Sequence, residues 1–328
     1  MNAKQANNML ISVVTPCFNV EPFLDTFFGS ILGQSYPHFE LICVDDCSTD
    51  GTWDKLTEYS KKDDRVRIYR RESNSGCCKI PREEAISHAT GDWIVYVDAD
   101  DFIDPDYLEQ LVQRHQETGA DLIATRSVTY QAPSEEPSIP NDQFDFSQIL
   151  PPEKALELCV GGWQISGAGA LTKKSANLRC HNYLNTSRSF GRDNSDELTF
   201  REIILYSTKV AFCDTTYHVL YNPGSITRRD PRNFITYKTD WDIYLLCKKH
   251  CGSNAPVTKQ ALAAYIVHLF RLIRREKNWH PNIVADFLKL NCSMIWQSSF
   301  SLLRKIRSSV RLIYWNHKLT KYTHEKKS

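Results

Sequence analysis

The 328-residue sequence is short of several things, and each shortage removes a class of protein. No run approaches the ~20 apolar residues that a membrane-spanning helix needs. The best candidate, Ala261 to Phe270, is short and carries His268. Residues 1–8 are polar, with no apolar stretch ahead of the first strand, so no secretory signal peptide is expected. The formal net charge is only +1, which leaves no global field to argue for a nucleic-acid partner. The 11 cysteines are odd in number, irregularly spaced, and include the neighbours Cys77 and Cys78. That pattern speaks against a disulfide-stapled secreted scaffold, and the lack of paired C-x-x-C spacings speaks against structural zinc. Buried free thiols in a reducing cytoplasm are the expectation. There is no internal repeat. No G-x-G-x-x-G follows the first strand, and Pro16-Cys17-Phe18-Asn19 offers no Gly-rich basic phosphate loop, which sets aside dinucleotide-binding folds and nucleotidyltransferases.

What is present is alternation. Strand patterns at 10–16, 39–45, 65–70, 93–98 and 120–130 are separated by helix patterns at 21–33, 51–62, 82–89 and 105–118. Such alternation calls for crossover connections and an α/β fold with a mostly parallel central sheet flanked by helices. Asp50 or Thr52 marks the start of the second helix, and Asp104-Pro105 that of the fourth. Gln131 to Pro152 is rich in Pro, Ser and acids and predicts a surface loop. Beyond it lie helix patterns at 152–160 and 196–206, a Gly-punctuated segment at 161–170, and a strand at 209–212. The expected organisation is a tail (1–9), an α/β domain (10–235, with halves 10–130 and 131–235) and a helical, basic C-terminal region (236–328).

Three of the strands deliver polar groups at their C-terminal ends. Leu10 to Thr15 breaks at Pro16 and continues Cys17-Phe18-Asn19-Val20-Glu21; Phe39 to Val44 runs into Asp45-Asp46-Cys47-Ser48-Thr49-Asp50-Gly51; Trp93 to Val97 runs into Asp98-Ala99-Asp100-Asp101. In an open parallel sheet these ends share one ligand-binding crevice. Carboxylates at i and i+2 are hard oxygen ligands suited to Mg²⁺ or Mn²⁺ bound to a diphosphate. A calcium loop starting at Asp98 is excluded, because its sixth position is Ile103 where Gly is required and a strand precedes it.

These segments, with Asn74-Ser75-Gly76, Pro81-Arg82 and Ala89-Thr90-Gly91-Asp92, resemble the family 2 nucleotide-sugar glycosyltransferases of the GT-A fold, in particular those of bacterial cell-surface polysaccharide and lipopolysaccharide synthesis. The ordered match covers residues 10 to about 130 and weakens to about 230. It implies a UDP-sugar donor and a glycan or lipid-linked acceptor. Phe18, beside Pro16, would stack on uracil, Asp46 would accept the uracil imide hydrogen, and Glu21 and Arg82 would face the donor. Asp98 would meet the donor ribose or a metal-bound water, and Asp100 would ligate Mn²⁺ or Mg²⁺ directly. Two departures stand out: Cys47 replaces the usual Gly, and the spacing from Asn74 to Arg82 is one residue longer than usual.

The resemblance also implies a catalytic base in the second half, ahead of the Lys209-Val210-Ala211-Phe212 strand. Alignment on that strand points to Asp196, with Glu197 next and Asp193 third. Tyr217 to Arg229 resembles the family's Tyr-rich strand and Ser-Ile-Thr loop, with Arg228 or Arg229 closing on the diphosphate and His218 as an additional metal ligand. The implied reaction is a single inverting displacement. Neither membrane spans nor a Q-x-x-R-W motif supports a polysaccharide synthase. A non-catalytic nucleotide-sugar-binding relative is the alternative. In Ser293 to Ser328, eight Lys and Arg residues face one acid, Glu325, beside an apolar stripe of Phe300, Leu303, Ile306, Val310 and Ile313. That helix would either pack on the catalytic domain or lie on an anionic membrane, in a cytoplasmic protein held at the inner face.

Overall fold

The computed structural model describes residues 9–130, 138, 145–160, 167–184, 195–224, 236–275, 289–290, 292–298 and 300–325. The predicted tail up to residue 8, most of the 131–152 loop, residues 161–166, Asp193 and the Ser225 to Arg229 loop lie outside them.

The first half alternates as its pattern predicts: β1 (Ile11–Cys17), α1 (Leu24–Leu32), β2 (Phe39–Asp45), α2 (Thr52–Lys62), β3 (Val66–Arg70), α3 (Lys79–His88) and β4 (Trp93–Tyr96). A single 3₁₀ turn, Glu21–Phe23, leads into α1. β1 and β2 are buried along almost their whole length, as strands covered on both faces must be. On α1, Leu24, Phe27, Phe28 and Ile31 recur at three- and four-residue steps and form its buried face. α3 begins at Lys79, three residues before the predicted start, which puts Pro81 inside its first turn, where a missing N–H costs nothing.

Next come β5 (Phe102–Ile103), α4 (Tyr107–Thr118), β6 (Leu122–Thr129), β7 (Ile149–Leu150), α5 (Pro152–Cys159), β8 (Leu171–Lys173), α6 (Lys174–Leu184), α7 (Ser195–Tyr206) and β9 (Val210–Val219). The sheet runs β3-β2-β1-β4-β8-β6-β9-β5, with β7 also on β9. It is parallel through β3, β2, β1 and β4, as the alternation predicts. The other half is mixed: β8 lies antiparallel between β4 and β6, and β5 and β7 are antiparallel to β9. The strands β5, β7 and β8 have two or three residues each, too few for a period-2 pattern to register in sequence. At Gly169 (φ +76°), ahead of β8, the N–H donates to Tyr96 O at 2.8 Å, and a Cβ there would stand 2.0 Å from Tyr107 Oη.

Glu40 ties the bottom of the sheet together from inside β2. Its carboxylate accepts from Ser12 Oγ (2.7 Å), from Thr90 N (2.6 Å) and Oγ1 (2.8 Å), and from Arg67 Nη1 (2.8 Å). Burial alone would push its pKa up; those bonds outweigh burial and hold it down at about 2. Gly91 is required beside this cluster, since a Cβ would meet Leu10 O at 2.5 Å.

The chain divides into two compact units, residues 1–159 with 163–231, and residues 160–162 with 232–328. The second contains α8 (Thr236–Cys251), α9 (Pro256–Arg275), α10 (Cys292–Gln297) and α11 (Leu302–Glu325). Ile243, Leu246 and Cys247 of α8 and Leu262, Ile266 and Leu269 of α9 form its core. Along α11, Leu312 and Leu319 are buried, while Arg304, Arg307, Arg311, Ile313 and Tyr314 are exposed. No described helix is long and apolar enough to cross a membrane.

Candidate active site

Because β1, β2 and β4 are parallel neighbours, their C-terminal ends leave the sheet on one edge. In β1, odd residues turn their peptide groups to β2 and even ones to β4: Cys17 O accepts from Asp46 N, and Val14 O accepts from Val97 N. Pro16 therefore faces β4 just past the last paired residue, where its missing N–H leaves no partner unsatisfied. The strand tips are laced directly. Asn19 N donates to Ser48 Oγ (3.0 Å), Thr49 N donates to Asn19 Oδ1 (2.8 Å), and Thr15 Oγ1 donates to Val97 O (2.8 Å). Phe18, Asp46, Asp98 and Asp100 thus belong to one cluster of tips.

Among the described residues, the two non-glycine residues with left-handed backbone lie here, Asn19 (φ 52°) and Cys47 (φ 64°). Gly occupies that region without a Cβ penalty, so the Cys47 departure keeps the backbone shape that glycine would supply. Phe18 is 42% exposed, while Cys17 before it and Val20 two residues on are buried. An apolar ring held open to solvent at a strand tip offers a flat face on which another ring can stack.

Asp46 is only 3% exposed. Its carboxylate accepts from Ser75 N at 2.9 Å and Ser75 Oγ at 2.8 Å, and pairs with Arg71 Nε at 2.9 Å. Asn74 Nδ2 donates to the Asp46 carbonyl, so the Asn74-Ser75-Gly76 motif is the loop that Asp46 holds. Glu21 differs from expectation. Its carboxylate accepts from Gly51 N (2.9 Å) and sits on the N-terminus of α2, where the helix dipole favours a negative charge.

The acidic turn brings three carboxylates to the edge, those of Asp98, Asp100 and Asp101. Arg82 Nη2 donates to Asp98 Oδ1 at 2.9 Å, with its guanidinium 5.1 Å from the Tyr96 ring centroid. Asn222 Nδ2 donates to Asp100 Oδ2 at 2.7 Å. Asp101 is buried, accepting from Tyr217 Oη (2.7 Å) and Leu220 N (2.9 Å). Burial, then the charge of Asp98, pushes the Asp100 carboxyl above its ordinary value, and burial with the charges of Asp100 and Asp98 does so more strongly at Asp101. Like charges gathered at this edge favour a cation beside them, and Arg82 already supplies one at Asp98. Among the described residues no group of three His, Cys, Asp or Glu side chains could hold a metal by itself. Two carboxylates suffice for Mg²⁺ or Mn²⁺ when substrate phosphates complete the shell, and the Asp98 and Asp100 donor set fits that case.

His218 lies elsewhere. Adjacent β-strand residues point to opposite faces: Tyr217 reaches the acidic turn, and His218 turns away. Its Nε2 lies 2.9 Å from Asp104 Oδ1 and its Nδ1 3.2 Å from Tyr130 Oη, while its ring stacks on Phe102 at 4.2 Å. Both nitrogens are engaged, so the structure does not bring it to the carboxylates as a ligand. Of the candidate bases, Asp196 lies in the first turn of α7, its side chain outside the described part. Glu197 is turned back along the helix toward Arg201 (3.6 Å), which itself donates to Cys159 O. Tyr217, Asn222, Ser75 and Arg71 went unassigned in the sequence. A Tyr-rich strand announces Tyr217 only as a strand residue, because its contact spans 116 positions.

A family model described as glycosyl transferase family 2 matches residues 12–177, half of the chain. The chain belongs to that family. Among its relatives, TuaG of Bacillus subtilis, named for teichuronic acid biosynthesis, is 41% identical over 104 residues, 32% of this chain and 41% of TuaG. Glycosyltransferase GlyG of Streptococcus pneumoniae is 29% identical over 228 residues, 67% of this chain and 74% of GlyG. The crystal structure of S. aureus TarS 1-349 in complex with UDP-GlcNAc superposes with a TM-score of 0.72 at 18% identity, covering 97% of this chain and 92% of that one. The chain therefore has the GT-A fold.

Proposed function

We propose that this glycosyltransferase moves a sugar, with inversion, from a UDP-sugar to a hydroxyl of a cell-surface glycan or lipid-linked glycan, with Mn²⁺ or Mg²⁺ as cofactor. The observation that carries the reading is the gathering of an open aromatic ring and paired carboxylates on adjoining tips of one parallel sheet edge, with the Arg82 guanidinium of α3 bonded to them. The UDP-GlcNAc bound to TarS supports the nucleotide, and the naming of TuaG supports a cell-surface polymer as acceptor.

In this reading Phe18 stacks on the base, and Asp46, expected from the resemblance to accept the uracil imide hydrogen, instead shapes the base pocket through Ser75, because its buried carboxylate is already engaged by Ser75 and Arg71. Asp98 orients the donor ribose, and Arg82, its present partner, faces the leaving diphosphate. Asp98 and Asp100 would hold the cation, which when bound neutralises charge on that diphosphate. Asp196 takes the acceptor hydroxyl proton as the oxygen attacks the anomeric carbon from the opposite face. The engagement of Glu197 by Arg201 supports Asp196 over its neighbour in that role. The exposed arginines of α11, with Ile313 and Tyr314, support peripheral attachment to an anionic membrane carrying the acceptor.

Calorimetric titration of the chain with UDP and GDP, with and without Mn²⁺, followed by assay of UDP-sugar hydrolysis, tests the proposal. UDP binding strengthened by Mn²⁺, with slow release of UDP from one sugar donor, is expected. Absence of nucleotide binding would overturn it, and binding without any hydrolysis or transfer would favour the non-catalytic alternative.

A further inference from the structure

Sequence reasoning leaves Asp101 as a third acid of uncertain purpose. Its surroundings distinguish it from Asp98 and Asp100. Asp101 is 5% exposed, and each carboxylate oxygen already accepts a hydrogen bond, from Tyr217 Oη at 2.7 Å and from Leu220 N at 2.9 Å. The same Tyr217 oxygen accepts from Asp98 N at 3.0 Å. One buried phenol therefore grips both ends of the acidic turn, the backbone of its first residue and the side chain of its last.

The remaining contacts close the turn around that grip. Asp101 N donates to Asp98 O (3.1 Å) and the Ala99 side chain is buried in the core. β5 follows immediately and pairs Ile103 with Tyr217 and Phe102 with His218. The chain is thus held before, across and after Asp100, leaving the carboxylates of Asp98 and Asp100 aimed away from the core, toward Arg82 and Asn222. Tyr217 itself is fully buried.

We propose that Tyr217 and Asp101 form a clamp that sets the geometry of the acidic turn, Asp101 acting as a positioning residue and not as a ligand of the cation. The inference rests on the proposed function, since it concerns how that site holds its cation and donor. Hydrogen bonds to a charged group contribute enough that losing the phenol should weaken cation binding about tenfold or more. Because the two residues hold the turn as one unit joined by their shared bond, removing both should cost no more than removing the worse one.

The experiment measures Mn²⁺ affinity of the UDP complex by electron paramagnetic resonance in the wild type, Tyr217→Phe, Asp101→Asn and the double variant, with Asp100→Asn alongside. Circular dichroism and urea unfolding report the fold. The expected result is a fall of about tenfold in each single variant, no further fall in the double, and complete loss in Asp100→Asn. Asp101→Asn keeps an acceptor for Leu220 N–H, so it supplies the reading should Tyr217→Phe not fold. If Asp101→Asn matched Asp100→Asn while Tyr217→Phe stayed within twofold of wild type, Asp101 would be a ligand and the clamp would be wrong. Additive losses, or none, would overturn it as well. A wild type that fails to bind UDP and Mn²⁺ would instead sink the proposed function and the clamp with it.

Discussion

Glu40→Gln is the substitution whose consequence the structure specifies most fully. The carboxylate has a pKa of about 2 against an ordinary 4.5, because donors from Ser12, Thr90 and Arg67 outweigh the cost of its burial. The gap between 4.5 and about 2, at ~1.36 kcal/mol per pH unit, makes the ionised group worth about 3 kcal/mol to folding. The folded-state pKa is depressed, so this contribution is complete above the unfolded value and is lost as pH falls toward 2. By pH 3.5 about 1.4 kcal/mol should be gone. Glutamine can still accept from Ser12 and Thr90 through its oxygen, but its amide nitrogen would then face Arg67 Nη1, donor against donor, at 2.8 Å. Urea unfolding followed by the fluorescence of Trp93, at the start of β4, should place Glu40→Gln about 2–4 kcal/mol below wild type at pH 7. The difference should narrow through pH 4 and 3.5. A variant within about 0.5 kcal/mol of wild type at pH 7, or a difference independent of pH across that window, would refute the argument.

Asp100→Ala should abolish the Mn²⁺ dependence of UDP binding, read by calorimetry. Asp196→Asn should lower kcat by about 10²–10⁴-fold, the usual share of a general base, with UDP-sugar affinity within about twofold of wild type. Gly169→Ala should destabilise by about 3 kcal/mol or more in urea unfolding, since φ is +76° and the new methyl would stand 2.0 Å from Tyr107 Oη. Wild type should float with vesicles containing phosphatidylglycerol and not with purely zwitterionic ones. The double variant Arg307→Glu, Arg311→Glu should lose that binding, each arginine being worth about 1 kcal/mol near such a surface.

The sheet edge that gathers the candidate site was legible in the sequence because it rests on local signals. Apolar runs ending in Pro16-Cys17-Phe18, Asp45-Asp46 and Asp98-Ala99-Asp100, separated by helix patterns, force parallel neighbours whose tips coincide. The acids themselves were visible too, but their duties were not. Glu21 looked like a donor contact and is engaged at Gly51 N, and His218 looked like a ligand and is held by Asp104 and Tyr130. The mixed half of the sheet escaped notice because strands of two or three residues carry no periodicity, and β8 is set between β4 and β6 by a close approach at Gly169.

What the sequence determined by itself was the layered α/β plan and which strand tips carry polar groups, since hydrophobic period and turn chemistry act over a few residues. Only the tertiary structure decided which of those groups are free to meet a substrate and which are taken up within the fold. A carboxylate's partners, such as Tyr217 for Asp101 or Thr90 for Glu40, come from chain positions 116 and 50 residues away. Hydrogen bonds and burial over that range are set by packing, to which local pattern is blind.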